Sequence, residues 1–253
     1  PGRMDSLDQP VLLAYFDKRS SKDRAKREVN FLGMLCGWAK PRRYMAAPNP
    51  VDRHLRLQMR VQRRQKKIVP PDVYRIYWEC ADQLVRDTID LAYMLSTRPA
   101  EALRVPMPAP GDTEITKYLP KTAKRGQQAV RFPMTPELQA LVDRRRALRP
   151  NSLYVLFDDD GSQLRAGGTI RSRMYKARDA AKLVCQELGV EWVDVTLQVI
   201  RPTAITEADV QHGRTGARKA AGHRTEKQTA DYIRPEVEMA DSVALPQVTD
   251  QLL

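Results

Sequence analysis

The sequence predicts a mainly α-helical protein of two domains with a small antiparallel β-sheet in the second, an α+β fold. Three observations predict it. Apolar residues recur at helical spacing through most of the chain, as in Ala25, Val29, Leu32, Cys36 and Ala39. Two short segments, 113–119 and 128–134, flank a polar turn and read as a hairpin. A basic segment over 52–67, closed by Pro70-Pro71, divides the chain into a helical domain over 1–66, with the basic linker at its end, and a larger one over 67–253. With 253 residues there is enough chain for two cores.

In chain order, the apolar run at 11–16 is read as a helix packed on the next one. Ser20-Ser21 then opens a helix with Lys22, Arg24, Lys26 and Arg27 largely off its apolar face, and Pro41 ends it. Pro48-Asn49-Pro50 is a turn. The basic segment contains Arg53, Arg56, Arg60, Arg63, Arg64, Lys66 and Lys67. It reads both as a cationic strap against phosphates and as a solvated hinge. Pro71 suits a first helical turn and Asp72 its positive end, so a helix is expected over 72–80. Leu84, Thr88, Leu91, Ala92 and Leu95 form the stripe of the next helix, which Ser96-Thr97-Arg98-Pro99 ends. A short helix over 99–103 leaves Arg98 at a helix junction.

The hairpin turn carries Lys121, Lys124 and Arg125, suited to reach a DNA groove or to be an ordinary solvated tip. A helix over 136–148 should bury Leu138, Leu141, Val142 and Leu148 and keep Arg144-Arg145-Arg146 outside. Residues 153–157 read as a short strand, and Asp158-Asp159-Asp160-Gly161 as a turn. The longest helix runs over 169–188, with Ile170, Met174, Ala177, Ala181, Val184 and Leu188 buried and Arg171 and Arg173 on its basic side; Gly189 ends it. Pro202 fits the first turn of the following helix and leaves Arg201 at its mouth. Two more short helices lead to Gly222-His223. A last helix carries Tyr232, and Pro235 ends it. The tail over 236–253 is acidic and then apolar, a subunit contact or a lid on its own domain.

Lys and Arg number 43 against 31 Asp and Glu, a net charge of +12. The excess favours a polyanion, and nucleic acid is the commonest. Aromatics make up 6 per cent, which offers no obvious stacking platform for single strands. Cys36, Cys80 and Cys185 are far apart and odd in number, and read as reduced thiols rather than a disulfide set or zinc site. His54, His212 and His223 are too scattered for metal ligation. No apolar run is long enough to span a membrane and no signal peptide opens the chain, so a soluble, cytoplasmic protein is expected. A start on Pro1 suggests a fragment or a processed chain.

The stretch Gly222-His223-Arg224-Thr225-Glu226-Lys227-Gln228-Thr229-Ala230-Asp231-Tyr232 sets a histidine nine residues before a tyrosine in a polar context. Alone it fits an exposed helix as well as a reaction centre. Together with Arg98, Lys121 or Lys124, and Arg201, it resembles the tyrosine recombinase, or phage integrase, family. Thr97-Arg98-Pro99-Ala100-Glu101-Ala102-Leu103 is similar to the first arginine box of that family, and Lys121-Thr122 to its lysine turn. Val199-Ile200-Arg201 with Ala204 is similar to the second box, and Gly222-His223, Thr229 and Tyr232 to the histidine and nucleophile box. The resemblance covers about 70–235. It extends more weakly over 10–66, similar to a helical core-binding domain that is short here, with no arm-type domain ahead of it.

The resemblance implies a site-specific DNA recombinase that cuts and rejoins duplex DNA through a 3′-phosphotyrosyl link, in DNA integration and recombination. Arg98, Arg201 and His223 would bind the scissile phosphate, Tyr232 would attack it, and Lys121 would protonate the leaving 5′ oxygen, with Lys124 in reserve. Glu101 would orient the first box. It implies no cofactor, metal or ATP, double-stranded DNA as partner and assembly on DNA as a tetramer. A phage or prophage setting in a bacterial nucleoid follows. Arg60, Arg63, Arg64, Lys66, Lys67, Arg125, Arg171 and Arg173 are the further candidates for DNA contact. Two departures stand out. Gln198 replaces the histidine usual three residues before the second arginine, and it cannot carry a proton as imidazole does. Ala220-Ala221 replaces a larger apolar pair, which predicts looser packing under His223. These departures support an alternative: a weakened or inactive DNA-binding protein on the same scaffold.

Overall fold

The structure, a computed structural model, describes residues 6–61, 67–119, 129–165, 167–230 and 232. The chain divides into two compact units, residues 1–65 and 66–253. Helix is the main secondary structure, and the described strands are one antiparallel pair.

The first unit begins with α1 (Gln9–Lys18), where the Asp8 carboxylate accepts from the Val11 N–H and Pro10 sits in the first turn. Helix α2 (Lys22–Ala39) buries Ala25, Val29, Gly33, Cys36 and Ala39. Asp52 caps α3 (Arg53–Gln58) by accepting from the Leu55 N–H. Leu12, Phe16, Ala25, Val29, Val51, Leu55 and Met59 form the core. The segment expected as strap and hinge is therefore partly a core helix. Leu55 and Met59 are fully buried between exposed Arg53, Arg56 and Arg60, an apolar pair spaced for one helix face within the basic run. Lys67 is exposed; Arg63, Arg64 and Lys66 lie outside the described residues.

The second unit opens with α4 (Pro71–Cys80), whose first residue is Pro71, and α5 (Gln83–Met94), capped by Asp82. Helix α6 (Pro99–Ala102) follows, then β1 (Glu114–Tyr118) and β2 (Ala129–Pro133), paired with Ile115 opposite Phe132 and Tyr118 opposite Ala129. Thr135 caps α7 (Pro136–Leu148), and α8 (Thr169–Glu187) packs on α4. Helix α9 (Leu197–Ala221) packs on α5, and α10 (Glu226–Ala230) on α9. Val73, Tyr77, Ile89, Leu91, Val142, Val155, Leu156, Ala181 and Ile200 lie at the centre of the core. The Val69 N–H donates to Thr203 Oγ1 at 2.9 Å, which fastens the start of this unit to α9.

Several expectations are corrected. Residues 153–157 form no strand; Tyr154 bridges Pro106 and Phe157 bridges Gln163 as isolated pairs. Arg145 is buried, not outside. It donates to the carbonyls of Val155 and Phe157, and with Arg144 it faces the fully buried Asp87. That carboxylate needs cations around it, a demand that outweighs the polar-outside pattern. Leu148 and Leu188, expected inside, are about two-thirds exposed at the ends of α7 and α8. Helix α9 starts at its Thr196 cap, so Pro202 lies inside it and Arg201 well past the mouth. Gly213, at the non-helical φ 68° and ψ 173°, divides α9 into two helical segments, so one further short helix, not two, leads to Gly222-His223.

Gly222 ends α9 with φ 65°, and a Cβ built there would lie 2.7 Å from Leu119 Cδ1. Both the left-handed backbone and the contact demand glycine. Gly222→Ala should lower stability by about 2 kcal/mol, read by denaturant unfolding. An unchanged midpoint would show that this turn relaxes freely. Among the described residues no helix is long and apolar enough to cross a membrane. All three cysteines are free, and Cys36 and Cys185 are buried.

Candidate active site

Four chain segments converge in the second unit: the α5–α6 junction, β1, the middle of α9 and the Gly222–Tyr232 stretch. Arg98 is the N-cap of α6 and Glu101 lies one turn on. Glu101 Oε1 accepts from Arg98 Nη1 at 2.5 Å and Oε2 from the Arg98 backbone N–H at 2.9 Å. The same carboxylate lies 3.5 Å from Arg201 Nη1. One buried anion thus sets both guanidiniums. Arg98 keeps a quarter of its side chain exposed, whereas Arg201 is nearly sealed.

Arg201 is held from several sides. Its Nη1 donates to the Ser96 carbonyl at 2.5 Å, and its Nη2 to the Ala221 carbonyl at 2.7 Å. Ser96 takes φ 46°, a left-handed conformation unusual for serine, just before Thr97-Arg98. The Arg201 contact fixes that strained carbonyl. Among the described residues neither the buried Arg201 Nε nor the buried Thr97 Oγ1 has a hydrogen-bond partner. Burial and then the charge of Arg98 lower the pKa of Arg201, while Glu101 opposes them. The guanidinium remains charged.

His223 is buried at the end of this chain of contacts. Arg201 Nη2 lies 3.2 Å from His223 Nε2. A guanidinium can only donate, so Nε2 accepts and the ring proton sits on Nδ1. Nδ1 then donates to Thr229 Oγ1, 3.1 Å away and fully buried. Tyr232 completes the group. Its ring centroid is 4.9 Å from that of His223 and 5.7 Å from Arg201 Cζ, and its hydroxyl raises the Arg201 pKa as a hydrogen-bond partner. Its carbonyl accepts from Thr206 Oγ1 at 3.2 Å.

The structure therefore brings Arg98, Glu101, Arg201, His223 and Tyr232 together. Gln198 is exposed on the first turn of α9. Lys121, Lys124 and Arg125 lie outside the described residues. Arg171 is exposed and donates to the Tyr175 hydroxyl, whereas Arg173 is paired with Asp82 and Asp159. The packing under His223 is not loose: Ala221 is fully buried, and its carbonyl holds Arg201. Small side chains let the helix end approach that closely. Among the described residues no cluster of His, Cys, Asp and Glu is placed to hold a metal ion.

Sequence reasoning missed Lys117. It is fully buried on β1, with Nζ 2.7 Å from the Leu95 carbonyl and 2.6 Å from that of Ala220. Burial and then Arg201 push its pKa down to about 7. The signal was present: Ile115, Lys117 and Leu119 alternate on the inward face, and a lysine there demands a reason.

No protein-family model matches the chain, and no curated protein does. Solved structures do. A lambda integrase dimer bound to a COC′ core site superposes with a TM-score of 0.72 over 97% of this chain and 86% of that one, at 14% identity. The chain has the integrase fold. A lambda integrase tetramer bound to a Holliday junction gives a TM-score of 0.70 over 95% of this chain and 68% of that one, at 14% identity. The Tn1549 transposon integrase with circular intermediate DNA gives 0.64 over 92% and 83%, at 16% identity. The integrase fold thus spans nearly the whole chain. In its second unit it holds a buried carboxylate, two guanidiniums, an imidazole and a phenol within one cluster.

Proposed function

We propose that the protein is a DNA strand transferase of the tyrosine recombinase kind, acting in site-specific recombination and integration. The observation that carries this reading is the Tyr232 ring packed in a tilted contact with His223 and close to the Arg201 guanidinium, whose buried Nε–H has no partner among the described residues. A nucleophile beside a preorganised oxyanion site is what phosphoryl transfer to protein requires. Arg98 and Arg201 donate to the non-bridging oxygens of the scissile phosphate, where charge grows in the five-coordinate transition state. His223, whose Nε2 accepts from Arg201 and whose Nδ1 donates to Thr229, holds the Arg201 guanidinium beside the phosphate and becomes a donor itself only when protonated and released from Arg201. The Tyr232 oxygen bonds to phosphorus as its proton passes to solvent water, and the bond from phosphorus to the 5′ oxygen breaks. The leaving oxygen takes a proton, a role we assign to Lys121, with Lys124 in reserve. Bond energy is kept in the phosphotyrosyl link, so a second 5′ hydroxyl reverses the step without ATP or metal.

The lambda integrase structures contain a dimer on a core site and a tetramer on a Holliday junction. We extend assembly on DNA to this chain, with residues 1–66 as a core-binding domain and residues 67–253 as the catalytic domain. A cytoplasmic site of action, on the nucleoid when bound, follows from a DNA substrate.

Incubation with a pool of randomised duplexes, denaturation in detergent and sequencing of the DNA that stays attached will test this. Recovery of one related set of sequences is expected. Duplex binding that weakens with salt, without any attached DNA, would instead leave a DNA-binding protein on this scaffold.

A further inference from the structure

Lys117 is absent from the machinery just described, yet it is the most completely enclosed cation at the site. Its ammonium joins two separate segments. The Leu95 carbonyl immediately precedes Ser96-Thr97-Arg98, and the Ala220 carbonyl immediately precedes Ala221-Gly222-His223. The Arg201 contacts fall one residue farther along each segment, on Ser96 and Ala221. Lys117 and Arg201 therefore clamp the same two segments at adjacent carbonyls. We propose that Lys117 is a positioning residue of the phosphate site, holding the Arg98 and His223 segments together and supplying charge beneath the bound anion. This rests on the reading of Arg98 and Arg201 as a phosphate clamp.

The electrostatic surroundings are well defined. Arg98 and Glu101 face Lys117 from α6, and Arg201 faces it from α9. From β2 the Phe132 ring centroid lies 5.0 Å from Nζ. Three cations thus surround one buried carboxylate, an excess of positive charge at this site. Burial, Arg201 and Arg98 disfavour the ammonium and only Glu101 favours it, which is why its pKa falls to about 7. An anion entering between the guanidiniums reverses that balance. It favours the protonated lysine, so binding takes up a proton, and affinity falls as pH rises above 7. The neutral amine still has two N–H donors for the two carbonyls, so the fastening survives deprotonation while the charge does not.

Inorganic sulfate is a suitable probe, because it stays a dianion from pH 6 to 9 and its own titration cannot interfere. Calorimetry at pH 8 in two buffers of different ionisation enthalpy reads proton uptake directly. An anion that raises the Lys117 pKa by one unit from about 7 takes up about 0.4 proton per sulfate at pH 8. Affinity of the unaltered protein should fall about sevenfold between pH 6.5 and 9. Lys117→Met should bind sulfate about tenfold more weakly at pH 6.5 and lose the fall above pH 7. Sulfate binding with no proton uptake at pH 8 overturns the proposal even if the variant fails to fold. A folded Lys117→Met protein with unchanged affinity and pH profile overturns it too. Sulfate binding that ignores both Arg98→Lys and Arg201→Lys would remove the clamp itself, a separate failure.

Discussion

Tyr232→Phe should erase covalent DNA capture, by at least about a thousandfold, while duplex affinity stays within about twofold. The substitution removes one oxygen and keeps the ring. The tilted contact with His223 persists, and so does the ring beside the Arg201 guanidinium. What disappears is the atom that would bond to phosphorus, together with its hydrogen bond to the guanidinium. Phosphate binding rests on other groups, so the DNA complex should form and stop before chemistry. Tyr175 is a fair control: it is exposed, and its hydroxyl accepts from Arg171. Tyr175→Phe should capture DNA as the unaltered protein does. Attached DNA that persists with Phe at 232 would transfer the nucleophile role to another residue.

The legible parts of this protein are those in which a local pattern and a tertiary demand coincide. Proline at the first position of α4, α6 and α7, and glycine after α9, mark helix boundaries by backbone chemistry alone. The inward alternation of β1 and the apolar stripe of α5 could be read for the same reason. The failures occur where long-range electrostatics sets the position. Arg145 looks like a surface residue until Asp87, distant in sequence, is found buried beside it. Lys117 looks like a strand's polar member until two carbonyls converge on it. Pro202 looks like a helix start because proline favours that place, but Thr196 supplies a cap earlier and the interior position is tolerated. The site residues were accessible through motif order. Their mutual contacts were not, because the hydrogen bonds around Arg201 reach across separations of 105 and 20 residues that no local rule encodes.

The two guanidiniums should fail in different ways when each is changed to lysine, and that difference separates clamp from scaffold. Arg201 serves the Ser96 and Ala221 carbonyls, His223 Nε2 and the Glu101 carboxylate, and still keeps Nε for a phosphate oxygen. A single ammonium cannot meet those directions at once. Arg201→Lys should lower capture by about a hundredfold to a thousandfold and cost about 3 kcal/mol of folding stability, because buried acceptors lose their donors. Arg98 is a quarter exposed and meets Glu101 through one nitrogen, so water can replace much of what lysine loses. Arg98→Lys should therefore cost at most about 1 kcal/mol of stability and yet lower capture by a comparable factor. Capture at the unaltered rate in both variants, with folding intact, would mean that neither guanidinium meets the reacting phosphate. Equal losses of stability in both would mean that Arg98 is part of the scaffold rather than a hand held out to DNA.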